Sequence, residues 1–361
     1  MRKTSIICTL GPSSRTAAVL ERMADAGMSV ARVNCSHGTR AGNRFLLNLV
    51  DRLNRGRRKR VRKLLDLQGY RMRVRLPGNL REVALNRGDA VLLSAAGGAR
   101  GTRGTLALTL DYPGSLGDVP VGSFVHVDDG NVALRVAKRR GDCLTARAVA
   151  PGIIKDGKGV NIPEAELAFG GLTDRDRRDL QSGLADEVDF VAQSFVRDAD
   201  DMLLLEDFRR KRGLRFKLVA KIESRQGIRN LDRILKACDG IMVARGDLGV
   251  SVPVFQVPVL QKMIIAKCRG AGRFAVTATQ MLESMTENPL PTRAEVSDVA
   301  NAVIDGSDYV MLSAETAVGR HPVEVVRMMN QVVRFTEAYL RGDSKERSRL
   351  TVGAGTAGEG E

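Results

Sequence analysis

The sequence predicts an α/β protein: a (β/α)8 barrel with a small all-β lid domain inserted after its third strand. Three observations lead there. Eight short apolar or β-branched runs recur along the 361 residues, and amphipathic helical stretches separate most of them. Residues 68 to 155 break this rhythm, with alternating strands and turn signals in place of helices. Polar and charged residues gather at the C-terminal ends of the eight runs, the face where a barrel of this kind keeps its chemistry. A doubly wound open sheet is the alternative, but eight units fit closure better.

The runs span residues 5–10, 29–34, 62–68, 188–195, 216–223, 240–246, 273–278 and 308–315. Helices are expected over 173–187, 198–211 and 225–238, and two carry start signals: Thr173-Asp174 before a charged turn, and Pro291-Thr292 before Arg293. The turns Asn86-Arg87-Gly88-Asp89, Asp129-Gly130 and Arg140-Gly141-Asp142 punctuate the inserted segment. The organisation that follows is barrel over 1–69, β insert over 70–155, barrel again over 156–341, and a disordered Gly-, Ser- and Thr-rich tail over 342–361.

Composition narrows the class. With 43% hydrophobic and 27% charged residues the chain can bury a sizeable core. No apolar run approaches the ~18 residues of a membrane crossing, and the stretch from Ile6 to Leu10 is too short for a signal peptide. Cytoplasm is the expected compartment. The five cysteines show no C-x-x-C spacing, so neither a disulfide framework nor a zinc finger is legible. The 57 basic and 42 acidic residues give a net charge of +15, which suits anionic partners. With 4% aromatics and no Trp, stacking platforms for single strands are scarce, so the surplus reads as solvated surface and no nucleic-acid partner is expected.

Three motifs mislead. Gly353-Ala354-Gly355-Thr356-Ala357-Gly358 matches a dinucleotide fingerprint but follows no strand. The segment from Gly152 to Lys158 matches a phosphate loop, yet Gly159 stands where Ser or Thr belongs and Val160-Asn161-Ile162-Pro163 where a helix should start. The run Arg55-Gly56-Arg57-Arg58-Lys59-Arg60 falls on the barrel's N-terminal face and reads as a solvated helix end.

The strand ends carry the chemistry: Arg32, Asn34 and Ser36, then Asp66, Ser194, Lys221 and Glu223, Arg245 and Asp247, Thr279, and lastly Ser313 and Glu315. Glu223 and Asp247 end adjacent strands, so their carboxylates can share a hard divalent cation. Lys221, two residues before Glu223, lies on the same strand face as a point charge for a phosphoryl group or an enolate. A structural ion pair in the barrel mouth is the competing reading. The stretch Gly246-Asp247-Leu248-Gly249 offers backbone N–H groups to an anion, against a simple tight turn. Thr279 and Ser313, taken singly, are as well explained as helix caps.

Several long segments, in order, resemble the pyruvate kinase family. They are Ile7-Cys8-Thr9-Leu10-Gly11-Pro12, Ala31-Arg32-Val33-Asn34-Cys35-Ser36-His37-Gly38, Val127-Asp128-Asp129-Gly130, Lys221-Ile222-Glu223, Val243-Ala244-Arg245-Gly246-Asp247-Leu248-Gly249, Ala278-Thr279-Gln280-Met281-Leu282-Glu283-Ser284-Met285 and Pro291-Thr292-Arg293-Ala294-Glu295. The resemblance covers residues 4–340. It implies phosphoryl transfer from phosphoenolpyruvate to ADP, followed by protonation of enolpyruvate. By position, Glu223 and Asp247 hold Mg²⁺ (or Mn²⁺), and Lys221 stabilises the phosphoryl group. Ala244, Arg245, Gly246, Asp247, Thr279 and Ser194 surround the substrate. Thr279, Ser313 and Glu315 belong to the proton-delivery network. Arg32, Asn34, His37, Arg73 and Lys158 face the nucleotide phosphates, Arg32 also counting among the catalytic residues.

The chain departs from the family in three places. Asp66-Leu67-Gln68-Gly69-Tyr70-Arg71-Met72-Arg73-Val74 carries Arg71 where K⁺-requiring members have glutamate, although Asn34, Ser36 and Asp66 match their K⁺ ligands. Members that need no K⁺ have Leu, Gln, Lys and Val where this chain has Leu67, Gln68, Arg71 and Val74. A fixed guanidinium supplies the charge a monovalent cation otherwise brings, so turnover without K⁺ is expected. Tyr70 replaces a proline at the hinge into the lid. The sequence stops after the eighth barrel helix, without the family's C-terminal α/β domain, so no activation by fructose 1,6-bisphosphate is expected. A homodimer through the barrel is. Two other functions fit the same residues: Mg²⁺-dependent enolate chemistry with a different acceptor, or a catalytically weak paralogue with a binding role.

Overall fold

The structure, a computed structural model, describes residues 4–95, 105–167 and 169–345. All eight expected barrel strands form: β1 Ser5–Thr9, β2 Met28–Asn34, β3 Arg62–Asp66, β4 Phe190–Gln193, β5 Lys217–Ile222, β6 Gly240–Ala244, β7 Phe274–Ala278 and β8 Tyr309–Leu312. Each pairs in parallel with its sequence neighbours, and β8 returns to β1, so the sheet closes. The strands are almost wholly buried because one side meets the barrel interior and the other the helices. Ile7, Val30, Leu64, Val219, Met242 and Met311 fill the interior. At its N-terminal end Phe190, Phe274 and Tyr309 meet edge to face, with centroids 5.5–5.9 Å apart, and Arg62 lies over the Phe190 and Tyr309 rings. A Cβ on Gly240 would collide with the Phe274 ring, so only glycine fits there.

Register levels the strand ends. Asn34 sits beside Asp66, Asp66 beside Ala192, and Ala244 beside Ala278. Both anticipated helix starts are made: Thr173 accepts from the Asp176 N–H and Thr292 from the Glu295 N–H, each within a capping box. Three expected elements differ. The 173–187 helix is α-helical only over Asp174–Asp179, then widens into a π turn at Leu180–Leu184 where Gly183 adopts φ 79°. The 225–238 helix is two pieces, Arg225–Arg229 and Leu231–Lys236, parted at Asn230, whose amide donates to the Arg197 carbonyl (2.9 Å). The sixth strand stops at Ala244, so Gly246 and Asp247 fall in the first turn of the helix Arg245–Ser251.

The insert builds a seven-stranded sheet in the order Val160–Asn161, Phe124–Val127, Val132–Arg140, Cys143–Ala148, Ala90–Ala95, Leu106–Leu110, Val74–Arg75, beside a two-stranded ribbon of Glu82–Leu85 and Gly152–Lys155. It has its own core, with Val91, Leu93, Leu108, Leu134 and Leu144 fully buried. Its last paired residues are Val160–Asn161, past the expected boundary at 155, because Val160 pairs with Val127 and Ile162 is buried in the insert's core.

In the basic run 55–60, Arg57 pairs with Asp25 (2.7 Å) and Arg60 lies 3.8 Å from Asp189. Among the described residues no helix is long and apolar enough to cross a membrane. Residues 346–361, most of the expected tail and all of the 353–358 glycine motif, lie outside the described residues.

Candidate active site

At the C-terminal rim β2, β3, β4 and β5 bring four charged residues and a serine together. Asp66, at the end of β3, is fully buried. The Arg32 guanidinium donates to its Oδ2 (2.7 Å), and Lys221 Nζ lies 3.2 Å from its Oδ1. Lys221 also donates to Ser194 Oγ (2.6 Å) and stands 3.2 Å from Glu223 Oε1. Arg32 is further held by Thr9 Oγ1 (2.8 Å). Burial pushes the Asp66 carboxyl up, but the Lys221 and Arg32 cations outweigh it and leave it below the usual range. Burial likewise disfavours the Lys221 ammonium, while Asp66 and Glu223 hold it above its ordinary value. The two shifts agree on a charged pair.

Glu223 differs. Burial raises its carboxyl to about 7, with Lys221 pulling down and Asp247 pushing up. Its Oε2 accepts from the Phe195 N–H (2.6 Å), a residue held at φ 55°. Its Oε1 is buried without a hydrogen-bond donor, the 3.2 Å approach of Lys221 lacking the alignment for one. Asp247, with 32% of its side chain exposed, opens from the barrel into a cavity of about 330 Å³ between barrel and insert. Ser194 and Glu223 line that cavity below; Arg71, His126 and Asp129 line it from the insert side.

Arg71 pairs with Asp129 and lies 3.5 Å from Asp247. Lys158 pairs with Asp128 (2.8 Å). Arg73 donates to the Gly157 carbonyl (2.9 Å). His37 lies at the exposed end of this group; desolvation first, then the Arg32, Arg73 and Arg71 cations, hold its imidazole below the usual range. Asn34 Oδ1 accepts from the Ser36 N–H (3.0 Å).

The remaining expected residues form a second group outside the cavity's lining. Thr279 and Gln280 adopt φ 70° and 52°, a left-handed turn that strains a β-branched residue. Arg245 holds this turn. Its guanidinium donates to the Thr279 (2.6 Å) and Gln280 (3.0 Å) carbonyls and pairs with Asp298 (2.7 Å). Arg245 therefore turns away from the cavity expected to take the substrate, its fork being already filled. Thr279 Oγ1 donates to the Ala278 carbonyl (2.6 Å) and accepts from the Gly246 N–H (2.9 Å). Glu315 is buried, which raises its carboxyl; it accepts from the Ser313 (2.6 Å) and Leu282 (3.2 Å) N–H groups. The Ser313 hydroxyl is buried without a partner.

Thr9, Phe195, Asp128 and Asp129 gained no individual role from the sequence. Val127-Asp128-Asp129-Gly130 signalled a turn and a family-like segment, and nothing local marks Phe195, whose role depends on Glu223, 28 residues further on. No group of three or more His, Cys, Asp or Glu side chains among the described residues is arranged to hold a metal, so any cation here takes Glu223 and Asp247 with further ligands from substrate or water. An oxygen-only pair with one buried, donorless oxygen fits a hard divalent ion.

A family model described as the pyruvate kinase barrel domain matches residues 1–326. A pyruvate kinase of Geobacillus stearothermophilus is 42% identical over 344 residues, covering 94% of this chain and 58% of that protein. One from Clostridium perfringens is 40% identical over 341 residues, covering 94% and 71%. The crystal structure of a pyruvate kinase from Cryptosporidium parvum superposes with a TM-score of 0.87 at 36% identity, covering 92% of this chain and 68% of that one. The chain thus spans 58% of the length of the Geobacillus relative.

Proposed function

The chain belongs to the pyruvate kinase family, and on that premise we propose that it transfers the phosphoryl group of phosphoenolpyruvate to ADP, giving pyruvate and ATP. The observation that carries this reading is Lys221, a buried ammonium fixed between Asp66, Ser194 and Glu223, the last two of which line the cavity. Its charge meets the phosphoryl group as the bond to the enol oxygen breaks and the bond to the ADP oxygen forms. Glu223 and Asp247 would hold Mg²⁺ or Mn²⁺, which when bound draws negative charge from the phosphoryl and enolate oxygens. Backbone groups of Ala244, Gly246 and Asp247 face the substrate carboxylate. Thr279, Ser313 and Glu315 deliver the proton to enolpyruvate, and the unpartnered Ser313 hydroxyl favours that role. Asn34, His37, Arg73 and Lys158 face the nucleotide. Arg32 acts through Asp66, and Arg245 through the Thr279 turn, as positioning residues.

K⁺ is dispensable on this reading. Asp66, one of three residues that match K⁺ ligands, has both oxygens occupied by Arg32 and Lys221, and the Arg71 guanidinium stands at the cavity. The protein self-associates through the barrel face bearing Val254 and Phe255, whose side chains are 75% and 76% exposed. Pyruvate formation from phosphoenolpyruvate and ADP with Mg²⁺, in Na⁺ and in K⁺ buffers, tests the proposal: comparable turnover in both is expected. Absence of pyruvate in either refutes the activity, and turnover in K⁺ alone refutes the role of Arg71.

A further inference from the structure

The insert is joined to the barrel by two crossings, residues 70–74 outward and residues 158–167 with Phe169 back. They are bonded to each other: the Val74 N–H donates to the Lys158 carbonyl (2.9 Å) and the Val160 N–H to the Met72 carbonyl (2.8 Å). These bonds join one crossing to the other. The pair is held to the barrel by polar contacts, Asn161 Nδ2 donating to Ser251 Oγ (2.8 Å) and Arg225 lying 3.8 Å from Glu164, and by an aromatic cluster. The Tyr70 ring lies 4.5 Å from the Phe169 ring, and Tyr112, buried in the insert, meets Phe169 at 4.9 Å and 64°. The Tyr70 hydroxyl donates to the Asp111 carbonyl of the insert (3.2 Å).

Phe169 is tied to the barrel in turn. Arg197 lies 5.2 Å over its ring, donates to its carbonyl (2.9 Å), and pairs with Asp201 (2.8 Å) on the helix Ala199–Lys211. A continuous chain of contacts therefore runs from a barrel helix through Arg197, Phe169 and Tyr70 to Asp111. Tyr70 and Phe169 also line the cavity that holds Glu223 and Asp247.

We propose that Tyr70, with Phe169 and Tyr112, is a clamp that fixes the insert's angle over the barrel and so sets the width of the cavity. Tyr70 is then a positioning residue for the proposed transfer, in which the nucleotide is gripped from both sides. The kinetic part of this inference rests on that reading; the mechanical part does not.

Tyr70→Leu keeps bulk and removes the ring, while Tyr70→Phe keeps the ring and removes only the bond to Asp111. Hydrogen exchange is read at residues 70–73 and 159–167, at the insert strand Leu106–Leu110 and at β5 to β7. In Tyr70→Leu the crossings should exchange about five- to tenfold faster, as the loss of one aromatic contact allows, with β5 to β7 unchanged. Its KM for ADP should rise about fivefold with kcat within about twofold, the signature of lost positioning with chemistry intact. Tyr70→Phe should stay within about twofold of the parent on every readout, since a single weak hydrogen bond is lost. Phe169→Leu approaches the same contact from the return crossing and should reproduce the Tyr70→Leu pattern. Unchanged exchange at the crossings, or acceleration spread evenly into the barrel strands, overturns the clamp. Absence of pyruvate from the parent protein overturns the proposed function instead, and leaves exchange to decide the clamp.

Discussion

The buried barrel rim beneath the cavity, its floor, and the insert edge beside it, its mouth, use the same residue types in opposite ways. At the floor, Arg32, Asp66, Lys221 and Glu223 are buried, and their strands dictate where they stand. At the mouth, Arg71 with Asp129 and Lys158 with Asp128 are partly exposed pairs on the insert and its crossings. Buried charges are costly to leave unpaired, whereas exposed pairs are screened and contribute about 0–1 kcal/mol. The floor is thus built for fixed electrostatics, and the mouth for charges that change partners when phosphate arrives.

The largest effect is expected at the floor. Lys221→Met leaves Asp66 and Glu223 without their shared cation, so kcat should fall by about 10³ or more. Stability should fall by about 3 kcal/mol in urea, since Asp66 then keeps Arg32 alone and Glu223 loses the cation beside it. A variant that melts like the parent would show the floor to be as forgiving as the mouth.

Glu223 supplies the next test, through pH. Its carboxyl, raised from 4.5 to about 7 in the metal-free protein, binds a proton in the folded state that the unfolded chain has released. Its contribution therefore favours folding below about pH 4.5 and is lost as pH rises towards 7, by ~3 kcal/mol at most. Thermal melts of metal-free parent and Glu223→Gln should diverge across that window, the variant falling less with pH. Mg²⁺ should narrow the gap by stabilising the parent near neutral pH. Parallel curves would mean that Glu223 is ionised without metal.

The smallest effect belongs to the mouth. Lys158→Ala should change stability by less than about 0.5 kcal/mol, because its pair with Asp128 is solvent-screened, while KM for ADP rises about tenfold through the lost phosphate contact. A stability loss as large as that of Lys221→Met would erase the distinction between the two regions.

How much of this was legible follows from what is local. The eight strands could be read because each is a short run built around apolar or β-branched residues, and Lys221 with Glu223 because a strand repeats every two residues. The break at Gly183 and the parting of the helices at Asn230 were not, since both follow from contacts made only after folding. Arg245 is the sharpest case. As a cation at a strand end it reads as a substrate ligand, but Asp298 and two carbonyls of a strained turn, all distant in sequence, claim it first. Asp128 and Asp129 read as a turn, and gain their charge roles only because Lys158 and Arg71 come to them from the crossings.

The three rings that meet at the barrel's N-terminal end have one more consequence. With Phe190, Phe274 and Tyr309 interlocked and the interior above them packed with aliphatic side chains, the barrel is a blind well. Lys221, with 11% of its side chain exposed, is reached from the C-terminal rim, and among the described residues the insert stands over that doorway. The rate at which a small amine-directed label reaches that lysine is therefore a gauge of how far the doorway stands open.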